Sequence, residues 1–409
     1  MRNFNSNQNG NVAILFALSV IPVIGAMGAA VDYSMANAQR AGMQAAADAT
    51  VLALAKMMPL SQQDLDTRGA NFFAANLGAT SISNLQLTIV PSTGKINLTA
   101  AGTYQPKIVN VLGAGSFPLG VQAESRWSIG KVEVALALDN SLSMNSSGKM
   151  TALKTAALNF LDFLENSVTT PGDAKIAIVP FDTAVNVGTA NINATWIKWS
   201  EWNADNQTCT GWGWSQTCTP KNHSYWDGCV WDRDKNNDTT DTAPTSSSST
   251  KYPAYQCDDG LVAMLPLTYD WTALRNKINA MAPVGWTNVT IGVEWAWHLL
   301  SSTAVYTEGA AYNTPNLSKF LIILTDGLNT KNRHHDSSSV MDQRTALACA
   351  NAKAAGIKIF AIRVIEGNAT LLQNCASELT MYFDVQDAGQ LSGVFSAIGA
   401  NIASLRLSK

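Results

Sequence analysis

KVEVALALDNSLSM, residues 131–144, is an apolar run that ends directly in Asp139-x-Ser141-x-Ser143. Val, Leu and Ala with little polar interruption predict a strand in the buried centre of a parallel sheet. Such sheets place their working loops at the carboxyl ends of the strands. We therefore expect one carboxylate and two hydroxyls to lie together above the sheet. These are the hard oxygen ligands that Mg²⁺, Mn²⁺ and Ca²⁺ prefer, although Ser and Asp are also common in turns and helix N-caps.

Two later segments bring similar side chains to the same edge of the predicted sheet. KFLIIL, residues 319–324, predicts a second buried strand, which stops at a Thr-Asp-Gly motif containing Asp326. PVGWTN, residues 283–288, is a turn-rich loop that contains Thr287 and leads into a helical pattern over residues 291–300. The three loops together offer two carboxylates and three hydroxyls.

These loops resemble those of von Willebrand factor A domains. The resemblance implies a metal-ion-dependent adhesion site that holds a divalent cation, Mg²⁺ first and Mn²⁺ or Ca²⁺ as alternatives. It also implies a coordination position left for an acidic residue of a protein partner. The implied ligands, direct or through water, are Asp139, Ser141, Ser143, Thr287 and Asp326. Related bacterial domains often have Gly-Gly-Thr in the second loop, whereas Trp286 precedes Thr287 here and is placed to shield the metal or contact the partner.

The rest of the carboxyl-terminal half alternates between helix and strand patterns. Residues 148–166, 345–356 and 390–405 predict helices, and residues 175–181 and 357–365 predict strands. This alternation favours an α/β fold with a doubly wound, mainly parallel sheet.

The amino-terminal segment carries a candidate membrane span. Residues 12–31 contain no charged residue and are long enough to cross a hydrocarbon core. Arg2 before the span and Asp32 after it favour a cytoplasmic start and an exported remainder. A signal peptide cut near Gly28-Ala29-Ala30 is the competing interpretation, but the apolar stretch is longer than such peptides need, which favours an uncleaved anchor. A helical pattern continues beyond the span as far as Pro59.

The same segment resembles TadE/TadG-like proteins of the tight-adherence (Tad/Flp) pilus assembly system. The matching residues are GNVAILFAL at 10–18, Val31-Asp32 and QAAADA at 44–49. The resemblance implies a single-pass protein of the bacterial inner membrane with most of its chain in the periplasm. A pilus or envelope component is then the expected partner.

Three regions follow from these patterns. We expect a membrane anchor and long helix over residues 1–58 and a small β-rich module over residues 59–130, with a hairpin turn at residues 91–94. A von Willebrand A-like domain is expected over residues 131–409, interrupted by an insertion at residues 188–266.

The insertion is rich in Trp and holds four of the six cysteines. No C-x-x-C pair is present in it, so two disulfides are favoured over zinc, with three pairings open. Cys349 and Cys375 are expected to form a third bridge. The cysteines of the insertion are Cys209, Cys218, Cys229 and Cys257.

Two further patterns in the insertion have competing interpretations. Asp232-x-Asp234-x-Asn236-x-Asp238 has the oxygen spacing of a calcium loop but lacks its Gly and terminal Glu, which favours a solvated polar loop. The aromatic cluster is expected to form the insertion's own core, with a recognition face for carbohydrate or protein as the alternative. Its members are Trp196, Trp199, Trp202, Trp212, Trp214, Tyr225, Trp226 and Trp231.

Other function classes find little support. The net charge of −3 and the lack of a Lys/Arg cluster argue against nucleic acid as a partner. His334-His335-Asp336 fits a polar loop better than a metal or catalytic site, and no hydrolase, zinc-protease or phosphate-loop motif occurs. We therefore expect a non-enzyme. The alternatives to metal-dependent partner binding are a structural envelope or minor-pilin-like protein with a vestigial metal site, and a surface adhesin that reads its target with the insertion.

Overall fold

The computed structural model describes residues 9–58, 60–78, 80–92, 95–113, 115–126, 131–168, 170–257, 260–303 and 305–404. The chain divides into two compact units, Met1–Trp127 and Ser128–Lys409. Several residues used in the sequence predictions lie outside the described ones: Arg2, Pro59, the turn residues 93 and 94, the boundary at residue 130 and the end of the last helix at residue 405.

The first unit consists of two helices and a three-stranded antiparallel sheet in the order β1-β2-β3. Burial alternates along β2, where Ile96, Leu98 and Ala100 face the core, as the period of two predicts. The carboxyl-terminal half of α1 packs on this face through residues such as Met43 and Leu54. The elements are α1 Asn9–Met57, α2 Gln62–Leu77, β1 Ile82–Ser92, β2 Lys95–Tyr104 and β3 Phe117–Arg126.

Helix α1 is long and apolar enough to cross a membrane, by its length and composition. It runs as one helix through Pro22. Its large apolar side chains between Ile14 and Met27 are mostly exposed, whereas several beyond Asp32, including Met43, Val51 and Leu54, pack against the rest of the unit. The two halves of the helix thus differ in what surrounds them, as expected for an apolar span that continues into a folded module.

Asp32 lies between these two halves of α1 and binds backbone N–H groups of a later segment. Its side chain is buried and accepts hydrogen bonds from the backbone N–H groups of Lys107, Ile108 and Val109 at 3.0, 2.8 and 2.7 Å. A short 3₁₀ helix, Val109–Leu112, begins at this point. The carboxylate therefore satisfies donors that the start of that helix leaves free.

The second unit is built around one ten-stranded sheet with the order β15-β14-β13-β4-β5-β6-β10-β11-β7, and β12 pairs with β5. Pairing is parallel from β15 through β5. The strands are β4 Lys131–Asp139, β5 Ala174–Phe181, β6 Val185–Asn186, β7 Ile197–Lys198, β8 Gln207–Thr210, β9 Thr217–Pro220, β10 Cys229–Val230, β11 Tyr252–Tyr255, β12 Leu265–Thr268, β13 Leu317–Thr325, β14 Lys358–Val364 and β15 Tyr382–Val385.

The predicted fold class is confirmed. Every residue of β4 after Lys131 is buried, and β13 is buried from Lys319 onward, as a sheet covered on both faces requires. The helices of this unit are α3 Lys149–Ser167, α4 Ser200–Asp205, α5 Trp271–Ala280, α6 Val289–Leu300, α7 Ser338–Ala354, α8 Ala369–Cys375 and α9 Leu391–Ser404. Helix α7 begins seven residues earlier than residue 345, where its apolar pattern starts, because the preceding serines already form its first turn.

The insertion extends the main sheet. Its strands β10, β11 and β7 continue the edge of the sheet beyond β6, and Trp202, Trp226 and Tyr252 join the main apolar core. All six cysteines are paired, as Cys209–Cys218, Cys229–Cys257 and Cys349–Cys375. The pairing left open in the sequence is thereby resolved, and the bridge expected between Cys349 and Cys375 is confirmed.

Candidate metal-binding site

Three loops meet at the carboxyl edge of the central strands. Asp139 is the last residue of β4, and the 3₁₀ turn Leu142–Asn145 that follows presents Ser143. Asp326 comes directly after β13, the parallel neighbour of β4. Thr287 lies just before α6, and the Leu142 N–H donates to the Gly285 carbonyl at 3.2 Å, which joins the first loop to the second.

The polar side chains from these loops form a continuous hydrogen-bonded chain. The Ser141 and Ser143 hydroxyls are 2.9 Å apart, and the Ser143 hydroxyl donates to Asp326 Oδ1 at 2.6 Å. Asp139 Oδ1 accepts the Ser141 backbone N–H at 2.8 Å, while its Oδ2 accepts the hydroxyl of Thr325. Both carboxylates are buried. The side chains predicted from separate segments of sequence therefore lie within one cluster.

Thr287 reaches the same cluster through a close approach to Gly327. A Cβ atom on Gly327 would lie 2.9 Å from Thr287 Oγ1 and 3.5 Å from Ser143 Oγ. Backbone hydrogen bonds fix the threonine, because its N–H donates to Thr330 Oγ1 and its carbonyl accepts the Thr330 N–H, both at 2.9 Å. Only glycine at position 327 leaves both hydroxyls room to face the same point.

The negative charge of Asp139 is unfavourable in this buried cluster, and the pKa of the carboxyl is raised as a result. Burial raises the pKa from 3.8 to about 6, and the neighbouring charge of Asp326 adds to the rise. Hydrogen bonds from Ser141 and Thr325 act in the opposite direction but do not cancel it. A cation beside the two carboxylates would offset the repulsion from Asp326 and part of the cost of burying the charge.

The sequence interpretation missed Lys149. Its ammonium group is buried at the start of α3, donates to Asp326 Oδ2 at 2.6 Å and lies 3.4 Å from the Ser143 carbonyl oxygen. The residue follows Gly148, whose φ of +67° turns the chain into the helix. A lysine ten positions after Asp139 is a weak signal by itself, because only the fold shows that it turns inward.

We expect Lys149→Met to bind Mg²⁺ at least about tenfold more tightly than the wild type, because a fixed positive charge next to the carboxylates opposes a second cation. Lys149→Arg keeps the charge and is the matched control. Calorimetric titration of the chelator-treated protein with Mg²⁺ measures both variants. Equal affinities for wild type and Lys149→Met would show that the ammonium does not affect cation binding.

An apolar rim surrounds the cluster. Leu142, Trp286 and Leu328 have exposed fractions of 61%, 58% and 53%, and they line a cavity of about 280 Å³ together with Ser141, Ser143 and Thr287. Three exposed apolar side chains around polar groups are unusual for solvent-facing loops and typical of a contact surface. Trp286 lines this cavity beside Thr287, whereas Asp139 and Asp326 are fully buried and do not line it.

The Asp232-x-Asp234-x-Asn236-x-Asp238 segment is not a solvated loop, and that prediction was wrong. Asp232 is buried, and both of its carboxylate oxygens accept the Asn288 amide at 3.0 Å. Asp238 is buried in an ion pair with Arg344. Asn288 is the residue after Thr287 and caps α6, so this segment holds the loop that contains Thr287 from the insertion side.

A second buried network joins the insertion to the middle of α6. The Arg233 guanidinium has no exposed surface and donates to Glu294 Oε1 at 2.9 Å and to the Thr242 carbonyl at 2.8 Å. Tyr252 donates to the same Glu294 oxygen at 3.2 Å and contacts His298. Helix α6 is buried on all sides because the sheet covers one face and the insertion and α7 cover the others.

The donor set fits a divalent cation. Two buried carboxylates and three hydroxyls, all oxygen atoms, converge beneath an open rim, and hard cations prefer such ligands. Elsewhere in the described residues, Asp227, Cys229 and Cys257 are close enough together to suggest a metal site, but the two sulfur atoms form a disulfide.

Comparison with known proteins places the first segment in a pilus-assembly context. Residues 10–56 match the family model described as putative Flp pilus-assembly TadE/G-like. No curated protein matches the chain. The matched residues cover most of α1, including the apolar span and Asp32.

Solved structures similar to this chain include von Willebrand factor domains and pilus tips. The von Willebrand factor domain of the type V pili tip protein Mfa5 from Porphyromonas gingivalis is 12% identical, with 67% of this chain and 95% of that one covered and a TM-score of 0.40. The adhesive tip pilin from Group B Streptococcus agalactiae is 13% identical, with 63% and 96% covered and a TM-score of 0.36.

A third similar structure is proximal thread matrix protein 1 from the mussel byssus, with a zinc-occupied MIDAS motif. It is 16% identical with a TM-score of 0.36, and 68% of this chain is covered. The chain spans about half of the mussel protein, 47% of its length.

Proposed function

We propose that this chain, with its TadE/G-like first segment and its von Willebrand A-type second unit, is a membrane-anchored extracytoplasmic component of Tad/Flp pilus assembly. In this proposal it is a single-pass inner-membrane protein that acts as a binding protein and not as an enzyme. The second unit binds a protein partner through a divalent cation, Mg²⁺ first.

The convergence of Asp139, Ser141, Ser143, Thr287 and Asp326 at one open edge of the sheet is the observation that carries the proposal. Asp139 and Asp326 would supply charge, and the hydroxyls would complete the inner ligand set. A divalent cation held there would supply an electrophilic point to which a carboxylate from outside can bind.

The charges of the site favour an acidic partner. Two carboxylates and the Lys149 ammonium carry a net charge of about −1, so a bound dication would bring the cluster to about +1. A positive site at the bottom of a partly enclosed cavity attracts a carboxylate. Without the cation, the same cluster repels it.

The apolar rim defines the partner further. Leu142, Trp286 and Leu328 surround the opening, so an Asp or Glu that reaches the cation brings its neighbouring side chains against them. Apolar or aromatic residues beside the acidic one would bury this surface. The partner proposed here is therefore a pilus or envelope protein with an exposed acidic residue in an apolar setting.

The proposal is tested by capturing pilus and envelope proteins on the full chain in detergent, with Mg²⁺ or with EDTA. Thr287→Val keeps the shape of the side chain and removes the hydroxyl, whereas Thr287→Ser keeps the hydroxyl and is the matched control. We expect Thr287→Val to lose partner capture by about 10- to 100-fold or more, since even changes around metal ligands have effects of that size. Thr287→Ser should retain most of it.

Capture that is the same in EDTA, in Mg²⁺ and in the Thr287→Val variant would reject metal-dependent binding. That result would favour a structural envelope role, in which the membrane helix and the first unit act without the metal cluster.

A further inference from the structure

The most exposed part of the insertion is a short hairpin, residues 207–220, which we call the Trp hairpin. Its strands β8 and β9 pair antiparallel, and the disulfide Cys209–Cys218 joins two residues that face each other in the register. Every residue of both strands is exposed. The Lys221 N–H closes the base of the hairpin by donating to the Asn206 carbonyl at 2.8 Å.

The tip of the Trp hairpin presents two indole rings to solvent. Trp212 and Trp214 have exposed fractions of 91% and 108%, the highest among the large apolar residues the structure describes. Gly211 and Gly213 have φ values of +87° and +58°, and a Cβ on Gly211 would lie 2.4 Å from the Ser215 carbonyl oxygen. The backbone of the tip is thus a tight turn that needs both glycines.

The two indoles are not needed for the core of the insertion. Trp202 and Trp226 are buried, and Trp199 packs between them and the ring of His223. Among the described residues, the ring contacts do not include Trp212 or Trp214. The aromatic cluster does not form the separate core that was expected for the insertion, because Trp202 and Trp226 join the main apolar core of the second unit. The rings of Trp212 and Trp214 remain available for a ligand.

The side chains of the Trp hairpin favour a neutral ligand over a charged one. QTCTGWGWSQTCTP, residues 207–220, contains no charged residue, so neither an acidic nor a basic ligand finds a complementary charge on it. It also lacks the Lys and Arg residues that segments binding at a membrane surface carry on their polar face. The side chains other than the indoles, Pro220 and the paired cysteines are neutral hydroxyl and amide groups.

We propose that the Trp hairpin is a binding site for a neutral polysaccharide. A sugar ring has an apolar face of C–H groups and a rim of hydroxyls, so an exposed indole can cover the face while Thr, Ser and Gln side chains hydrogen-bond the rim. The disulfide holds the two strands together before binding, which reduces the entropy lost when the ligand is bound. This site is separate from the metal cluster in both residues and chemistry.

The test uses the full chain in detergent and measures its retention on four insoluble or cross-linked neutral polysaccharides: cellulose, chitin, starch and dextran. We expect retention on at least one of them, in EDTA as well as in Mg²⁺. Trp212→Ala/Trp214→Ala should reduce it at least about tenfold, the scale of losing a Trp anchor at a binding surface. Tyr225→Ala, which removes an exposed aromatic ring elsewhere in the insertion, is the matched control and should bind as the wild type does.

Three outcomes would overturn the proposal. One is no retention of the wild type on any of the four polysaccharides, and another is retention that the double variant does not lower. The third is a double variant that keeps its retention on polysaccharide but loses self-association in sedimentation, which would assign the two rings to contact with a second copy of the chain. Because EDTA should leave polysaccharide retention unchanged, failure here is distinguishable from failure of metal-dependent capture.

Discussion

Asp139→Asn is expected to lower the affinity of the protein for Mg²⁺ and Mn²⁺ by more than about 100-fold, beyond the range found for changes outside the ligand set. The substitution removes one of the two negative charges in the cluster. The asparagine Oδ1 can still accept the Ser141 N–H, and its amide can donate to the Thr325 hydroxyl, so the local hydrogen bonds persist. A lower Mg²⁺ affinity of this variant would therefore result from the missing negative charge and not from a change in the local structure.

The same variant should change how stability depends on pH when no metal is present. Burial and Asp326 raise the pKa of Asp139 to about 6 from 3.8. Ionising this carboxyl in the folded protein thus costs stability, and the free energy of unfolding of the wild type should fall as pH rises from about 4 to about 6. The difference between the two pKa values corresponds to about 3 kcal/mol at most. Asp139→Asn should show a smaller fall, because other buried carboxyls such as Asp232, whose pKa is also raised to about 6, still contribute over this pH range. At pH 7 in EDTA the variant should be the more stable protein.

Denaturation followed by Trp fluorescence measures this effect, because all but Trp127 of the 12 Trp residues belong to the second unit. Asp205→Asn, which changes an exposed carboxylate at the end of α4, is the control and should unfold as the wild type does in EDTA and in Mg²⁺. A stabilisation by Mg²⁺ that is as large in Asp139→Asn as in the wild type would place the cation somewhere else.

The meeting of Asp139, Ser143 and Asp326 at one edge of the sheet could be predicted from strong local patterns, whereas their role as metal ligands stays a prediction. Asp139 and Asp326 each stand at the end of a continuous apolar run, and parallel strands bring their carboxyl ends to one edge. Lys149 lacked such a signal, since its position beside Asp326 depends on how α3 leaves the loop after Ser143. Contacts of this kind depend on the tertiary structure and produce no periodic pattern in the sequence.

The polar segment after Asp232 was misjudged for a related reason. Alternating acidic residues in a Trp-rich, disulfide-linked insertion are typical of a solvated loop, and the partners that bury them lie far away in sequence, at Asn288 and Arg344. One signal could have corrected this. Apart from Thr290, Glu294 and His298, helix α6 is apolar, which is expected of a helix covered on all sides.

Removing Arg233 should have the largest effect on folding stability of any single change outside the metal cluster. Arg233→Met leaves Glu294 buried without its ion-pair partner and leaves the carbonyls of Thr240 and Thr242 without their donor. Burial already raises the pKa of Glu294, and the positive charge of Arg233 opposes that rise. We expect a loss of about 3–5 kcal/mol in the free energy of unfolding of the second unit, the range for breaking a buried ion pair.

The double variant Arg233→Met/Glu294→Met tests whether the ion pair or the packing supplies the stability. Replacing both partners by apolar residues removes the unpaired charge, so the double variant should recover a large part of the loss seen in Arg233→Met. Urea denaturation monitored by Trp fluorescence gives the free energy of unfolding of the wild type, the single variant and the double variant.

Because α6 starts directly after Thr287, the single variant should also weaken Mg²⁺ binding, and the double variant should restore it. A single variant as stable as the wild type, with unchanged Mg²⁺ affinity, would mean that the insertion neither supports α6 nor positions the metal loop.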